Sequence, residues 1–327
     1  LMPTGGGKSL MLNGHMDTNV MMSGWTVDPY EGLLEDGWLW GLDTSIAYSK
    51  VVFCGDINHL NMGGEVVIAD IAHFIDGSPP NARNFFSQYW VPDCALSTNG
   101  ATVAALGRNM TSTGGNVSFR DVVYGIGAND GSLLWERHVA GPNSTAWAVT
   151  WEPGGGSYTI AYNHPSPSQP GHWEGVASSY AESDGTLFWY SPIPQNVSSL
   201  AWLPDGSYLT VGLYDPRKFS IINTAVQVQT DFGWHSVISN NTGQPEDVKA
   251  VATTTISSST TANQLIASAG KDGGVEIWKA DTSNFEILPY RRFGPKLVRE
   301  ISISPNQDMI AIAESSGTLT ILSLIHI

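Results

Sequence analysis

The sequence is poor in charge. Asp, Glu, Lys and Arg together make up 14% of 327 residues, against about a quarter in an ordinary soluble globular chain. Lysine is the scarcest of the four, and no stretch of ten residues sets apolar side chains at i, i+3, i+4 and i+7 with polar ones between. An architecture built from amphipathic helices is therefore excluded. Basic side chains adjoin each other only at Arg217 with Lys218 and Arg291 with Arg292, and the net charge is −15. Displacing counterions from phosphates takes clustered Lys and Arg, so no nucleic-acid partner is expected. No apolar run reaches the roughly 18 residues of a membrane-crossing helix. No basic stretch followed by an apolar core marks a signal peptide in this chain. Cysteine is nearly absent: Cys54 and Cys94 are compatible with one disulfide or with two buried thiols.

What is abundant is glycine, with 35 residues, tryptophan, with 12, and Ser and Thr. Many short strands joined by tight turns give this profile, and an all-β fold follows. Asn-X-Ser/Thr sequons occur at Asn109, Asn116, Asn143, Asn196 and Asn240, all in predicted turns or strand edges. As acceptors of N-linked glycans they favour a secreted chain.

Internal repetition carries the fold argument. Ala148-Val-Thr-Trp-Glu-Pro-Gly-Gly-Gly-Ser-Tyr-Thr-Ile-Ala aligns with Leu200-Ala-Trp-Leu-Pro-Asp-Gly-Ser-Tyr-Leu-Thr-Val-Gly and with the segment from Val298 to Ala313. Val248 to Ala269 is a degenerate copy with a Ser/Thr-rich insertion, and Cys94 to Gly107 extends the period backwards. Each copy is an apolar strand, a Pro/Gly/Asp turn and a second apolar strand, the pattern of a β-hairpin. A second piece follows each hairpin: Asn129-Asp-Gly-Ser-Leu-Leu-Trp135, Ser183-Asp-Gly-Thr-Leu-Phe-Trp189 and Lys271-Asp-Gly-Gly-Val-Glu-Ile-Trp278. An Asp-Gly turn leading into a strand that ends in Trp fits the outer half of a four-stranded unit, with Trp135, Trp189 and Trp278 packing between neighbouring units.

The Asp-Gly-Gly-Val-Glu-Ile-Trp piece resembles the WD-repeat family, and Asp-Gly-Ser-Leu-Leu-Trp resembles the tryptophan-docking repeats of quinoprotein-type propellers. The resemblance implies a β-propeller over residues 47–327, with repeats of about 50 residues and about five to six four-stranded blades present. Val51 to Ala72 would form part of one incomplete blade.

The first 46 residues read differently. Pro3-Thr-Gly-Gly-Gly-Lys8-Ser9 approaches a nucleotide-binding loop, but Met2 stands where the pattern asks for Gly, and no helix-forming segment follows. No nucleotide site is assigned. Ser9-Leu-Met-Leu-Asn-Gly-His15-Met-Asp17-Thr, continued by Gly24-Trp-Thr-Val-Asp-Pro-Tyr and Glu35-Asp-Gly-Trp-Leu-Trp-Gly41, resembles aminoacylase-type zinc peptidases and deacylases. The resemblance implies that His15 is a metal ligand and Asp17 the carboxylate that orients it, a catalytic accessory. Ile46 stands where that family places a bridging ligand, and the paired glutamates and final histidine have no counterpart. One imidazole does not hold a catalytic zinc, so no cofactor is expected, zinc entering only were that domain complete. Leu322 to Ile327 resembles a translated sequencing adaptor. A fragment joining two unlike pieces is the expectation.

His164, His172 and Glu174 flank a Pro-rich stretch that reads as a surface loop, and Asp56, His59 and Glu65 form a loose polar group of turn residues. The expected activity is thus that of a non-catalytic propeller binding a protein or glycan on its loops. The alternatives are a truncated metal-dependent hydrolase at the N-terminus and a quinoprotein-like redox enzyme.

Overall fold

The computed structural model describes residues 38–45, 50–56, 63–70, 82–113, 116–139, 143–169, 171–214, 218–223, 228–233, 248–253, 264–270, 273–280, 285–293, 297–303, 309–314 and 319–323. Every regular element among them is a β-strand. The first sheet holds β1 (Trp38–Ser45), β2 (Lys50–Asp56), β3 (Gly64–Asp70) and β4 (Arg83–Ser87). The second holds β5 (Cys94–Leu96), β6 (Thr102–Thr113), β7 (Asn116–Gly127) and β8 (Leu133–His138). The third holds β9 (Thr145–Trp151), β10 (Ser157–Pro165), β11 (Trp173–Ala181) and β12 (Leu187–Ile193). The fourth is β13 (Val197–Trp202), β14 (Tyr208–Leu213), β15 (Lys218–Asn223) and β16 (Val228–Gly233). The fifth is β17 (Val248–Thr253), β18 (Gln264–Gly270), β19 (Gly274–Ala280) and β20 (Phe285–Phe293). The sixth has three strands, β21 (Val298–Ile303), β22 (Met309–Glu314) and β23 (Leu319–Ser323).

Each sheet is an antiparallel meander in chain order, and no sheet closes on itself. The all-β expectation and the hairpins read at Ala148, Leu200, Val248 and Val298 stand as β9–β10, β13–β14, β17–β18 and β21–β22. The segment read as an incomplete unit from Val51 lies in a full four-stranded sheet. Its first strand, β1, comes from residues whose sequence resembles the zinc-peptidase segment.

The sheets stack in succession, each first strand touching the first strand of the next, from β1 through β5, β9, β13 and β17 to β21. Five apolar cores lie between them. Val52 and Ile68 of the first sheet meet Val103 and Val122 of the second. Leu106 and Val123 meet Ile160 and Tyr162, and on the next interface Ala161 and Ala177 meet Leu209 and Val211. Phe219 and Ile221 meet Val251 and Ile266, and Ala267 and Ile277 meet Ile301 and Ile312. Successive strand residues point to opposite faces. Ile160 therefore enters one core and Ala161 the next, and β10 stays buried from Ser157 to Asn163. Covered on both sides, β10 buries Ser157, Thr159 and Asn163 along with its apolar residues.

The Asp-Gly turns have a shared geometry. Gly131, Gly185 and Gly206 all take φ near +70°, at +72°, +73° and +71°, a conformation that costs glycine little. In each turn the preceding Asp accepts from the backbone two residues on: Ser132 N to Asp130 Oδ1, Thr186 N to Asp184 Oδ1, and Ser207 N to Asp205 Oδ1, at 2.9–3.0 Å. The Asp side chain thus closes the turn before the strand begins.

Two of the three tryptophans sit equivalently. Trp135 on β8 lies opposite Gly125, and Trp189 on β12 lies opposite Ser179, each on the fourth strand of its sheet. Trp135 stacks on Tyr158 of the next sheet at 5.1 Å between centroids, and Trp189 meets Trp202 of the next sheet edge-on at 6.1 Å. A Cβ at Gly125 would come within 2.0 Å of the Trp135 ring. Trp278 differs, lying on β19, the third strand of its sheet, opposite Ile266. The Asp-Gly signal there precedes the third strand and not the fourth, because the same turn chemistry serves either connection.

Cys54 of β2 and Cys94 of β5 form a disulfide, with Cα atoms 6.1 Å apart, that fastens the first sheet to the second. The bond closes a loop spanning 40 residues, so reducing it or replacing both cysteines by serine should lower the unfolding free energy by roughly 2–4 kcal/mol. Thermal melts with and without reductant check this through a reductant-sensitive shift that the double serine variant lacks.

Candidate binding face

Strands β6, β10 and β14 are the second strands of consecutive sheets, and three residues on or just after them occupy equivalent places. Arg108 pairs with Trp90, Asn163 with Thr145, and the Tyr214 amide donates to Asn196 O, each partner the same distance upstream in sequence. Two of the three reach across to the following sheet. Asn163 Nδ2 donates to Val197 O at 3.1 Å, and Val197 N donates to Asn163 Oδ1 at 2.8 Å. A carboxamide is thereby used as a short length of strand, satisfying both backbone groups of a wholly buried residue.

One sheet earlier the same task is divided between two charges. Arg108 on β6 and Asp121 on β7 are cross-strand neighbours. Ala146 N donates to Asp121 Oδ2 at 2.5 Å, and Arg108 Nη2 donates to Ala146 O. The two side chains form an ion pair, Nε to Oδ2 3.6 Å, with 6% and 1% of their side-chain surfaces exposed. The guanidinium lies between two indoles, 4.6 Å from the Trp90 ring and 4.6 Å from the Trp147 ring. Tyr214 meets Trp147 edge-on at 5.5 Å, completing an aromatic surround. Burial lowers the Arg108 pKa, opposed by the charge of Asp121. Arginine keeps its proton in such settings and offers a weakly hydrated planar cation to the ring faces.

The opposite end of the same interface carries a second cation over a ring. Arg137 of β8 lies 4.1 Å from the Trp135 ring and donates to Ala181 O at 3.0 Å and Glu182 O at 2.9 Å, at the end of β11 and the start of the turn that follows it. Asp93, just before β5, accepts from Val149 N of β9 at 2.8 Å. Its charge also reaches Glu300 of β21, whose carboxyl is pushed up to about 8 by burial and then by Asp93. Glu65 of β3 accepts from Asn84 Nδ2 at 2.6 Å and is pushed up to about 7 by burial, the Asn84 bond acting against the rise. Arg108, Asp121, Arg137 and Asp93 thus join neighbouring sheets, whereas the Glu65 bond stays within the first sheet.

The outer strands contrast with this. Leu134 of β8, Phe188 and Tyr190 of β12 and Phe86 of β4 are 54%, 57%, 58% and 64% exposed. Leu133 and Leu187 are exposed beside them, and Trp173 at the start of β11 is also open. Large apolar side chains recur at the margin of three consecutive sheets.

The residues singled out in sequence fall in several places. His15, Asp17, His59 and Asn240 lie outside the described residues. Asn109 and Asn116 belong to β6 and β7, with side chains outside the described set, as are those of Asp56 and Trp278. Asn143 is exposed, in a turn, with φ 69°, while Asn196 is half-buried. His164 lies opposite Glu174 at the end of the β10–β11 hairpin, and His172 O accepts from Ser166 N. Among the described residues no group of three or more His, Cys, Asp or Glu side chains is gathered at metal-binding distance. Also among them, no helix is long and apolar enough to cross a membrane. Sequence reading passed over Arg108 and Asn163. Their signal was the alignment of Ala105-Leu-Gly-Arg108 with Ile160-Ala-Tyr-Asn163, a polar residue following a short stretch without charge.

No protein family and no curated protein matches this chain.

Removing the Asp121 carboxylate leaves Arg108 buried without its counter-charge, so Asp121→Ala should cost about 3–5 kcal/mol. Arg108→Lys keeps the charge but loses the planar stack, and about 1–2 kcal/mol is expected. Denaturant titration followed by tryptophan fluorescence reports both. A second expectation concerns pH. Glu65 and Glu300 hold protons in the folded chain above their ordinary value of 4.5, so the folded state binds more protons than the unfolded one. Stability from these groups is complete below about pH 4.5 and falls as pH rises through about 7 and about 8. The double variant Glu65→Gln with Glu300→Gln should flatten that part of the stability curve.

Proposed function

We propose that the chain is a β-propeller of the WD-repeat or quinoprotein-like kind, acting as a non-catalytic binding module for a protein partner. Several features support the architectural half of this reading. Successive meander sheets bury both faces against their neighbours and adjoin through their first strands, as blades do around an axis.

The binding half rests on one observation: Leu134, Phe188, Tyr190 and Phe86 stand exposed on the outer strands of three consecutive sheets. Singly exposed apolar residues are ordinary, whereas a recurring band of them marks an interaction surface. Aromatic and leucine side chains at a sheet margin suit an extended or flat protein surface that also meets the free strand edge. The chain's net charge of −15 favours a partner with basic flanks. The buried Arg108 and Asp121, by contrast, serve the connection between two sheets.

The test uses Leu134→Asp combined with Phe188→Asp. Both sites are surface positions, so stability should change by about 1 kcal/mol or less. Partners captured from the extracellular fraction of the source would be purified and titrated against both forms. Loss of about 30-fold or more in affinity is expected for the double variant. Equal affinity for both forms, or binding to a glycan array and to no protein, overturns the reading.

A further inference from the structure

We infer that Asn143 is a site of N-linked glycosylation, and that Asn196, which carries the same sequence signal, is not. The inference stands apart from the binding reading above and rests on the disulfide, on the backbone at Asn143 and on the packing at Asn196.

The Cys54–Cys94 disulfide joins the only two cysteines of the sequence across two sheets. Disulfides that persist belong to oxidising compartments, and these are the compartments in which Asn-X-Ser/Thr is read by an oligosaccharyl transferase. The sequons and the disulfide are independent features that point to the same place.

Geometry then separates the two asparagines. Asn143 and Ser144 lie in the connection between β8 and β9, and Thr145 opens β9. Asn143 is exposed and takes φ 69°, the left-handed conformation that Asn tolerates in turns. Ser144 and Thr145 behind it are 3% and 7% exposed. Folding therefore buries the part of the sequon that the transferase reads and leaves the acceptor pointing outwards, so a bulky glycan added beforehand is accommodated. Asn196-Val197-Ser198 has the opposite disposition. Asn196 is half-buried, its Oδ1 is enclosed, and its backbone oxygen accepts from Tyr214 N at 2.8 Å. Val197 is wholly buried and held on both backbone groups by Asn163. A glycan on Asn196 would have to be carried with Oδ1 still enclosed and with the next residue, Val197, fastened to Asn163, so it would crowd the join between the third and fourth sheets.

The chemistry is a transfer from a lipid-diphosphate-linked oligosaccharide. Asn143 Nδ2 bonds to the sugar C1 while the C1–O bond to the diphosphate breaks. The bonding pair leaves with the lipid diphosphate, and the proton lost from Nδ2 passes to that leaving group. No oxidant or reductant is involved.

The full chain would be produced behind a cleavable secretion signal in a eukaryotic cell. The secreted protein would then be treated with peptide N-glycosidase in oxygen-18 water, and peptide mass spectrometry would read occupancy at each asparagine. Label at Asn143 in the majority of molecules and none at Asn196 is expected. Asn143→Asp, which preserves tolerance of the positive φ, should remove one glycan from the intact mass, and Asn196→Asp should remove none. Secreted protein unmodified at Asn143, or occupancy at Asn196 equal to that at Asn143, overturns the inference.

Discussion

A four-stranded sheet with two apolar faces has no stable existence by itself, and that constraint governs this molecule. Ile160 and Ala161 are neighbours in one strand and belong to different cores. The middle sheets are each packed on both sides, so most of the apolar burial belongs to interfaces between sheets. Each sheet therefore gains much of its stability from the sheet beside it. The polar features follow from the same need. On β9 and β13 the backbone groups of Ala146 and Val197 are enclosed, and side chains from the preceding sheet satisfy them.

The solutions at Ala146 and Val197 show how loosely sequence is bound to that task. Asn163 does with one neutral side chain what Arg108 and Asp121 do with two opposite charges, using equivalent strand positions and the same pair of backbone groups. The charged version brings the cost of dehydrating a guanidinium, which the Trp90 and Trp147 faces and the Asp121 carboxylate offset. At the third position Tyr214 contributes an aromatic edge to this assembly. Two joins between sheets can therefore differ in residue type while using the same backbone groups.

Much of the fold was legible because its punctuation is local. An Asp before a Gly makes a turn through its own side chain, with no help from distant residues, so the turns at Asp130, Asp184 and Asp205 could be read directly. The same locality explains the misplacement of Trp278 among the fourth-strand tryptophans. A turn specifies a reversal of direction and says nothing about which strand of the sheet comes next. The first sheet was half visible, since β1 and β4 carry no recognisable copy of the hairpin pattern. The inter-sheet tethers were not legible at all. Arg108 and Ala146 meet only after two sheets have stacked, and nothing near either residue in sequence announces the other. The apolar margin was hidden for a related reason, because Leu134 and Phe188 look like core residues until the outermost strand is identified.

The pairing of Gly125 with Trp135 has a meaning for how such a chain can change over time. The indole occupies the volume that any side chain at position 125 would need, and on the next sheet Ser179 faces Trp189 in the same register. Space at this interface is shared between two strands and cannot be enlarged by either alone. Substitutions there should come in compensating couples, a larger residue on the third strand accompanying a smaller one on the fourth. In a set of related sequences these two columns would drift together although each, viewed separately, looked freely variable.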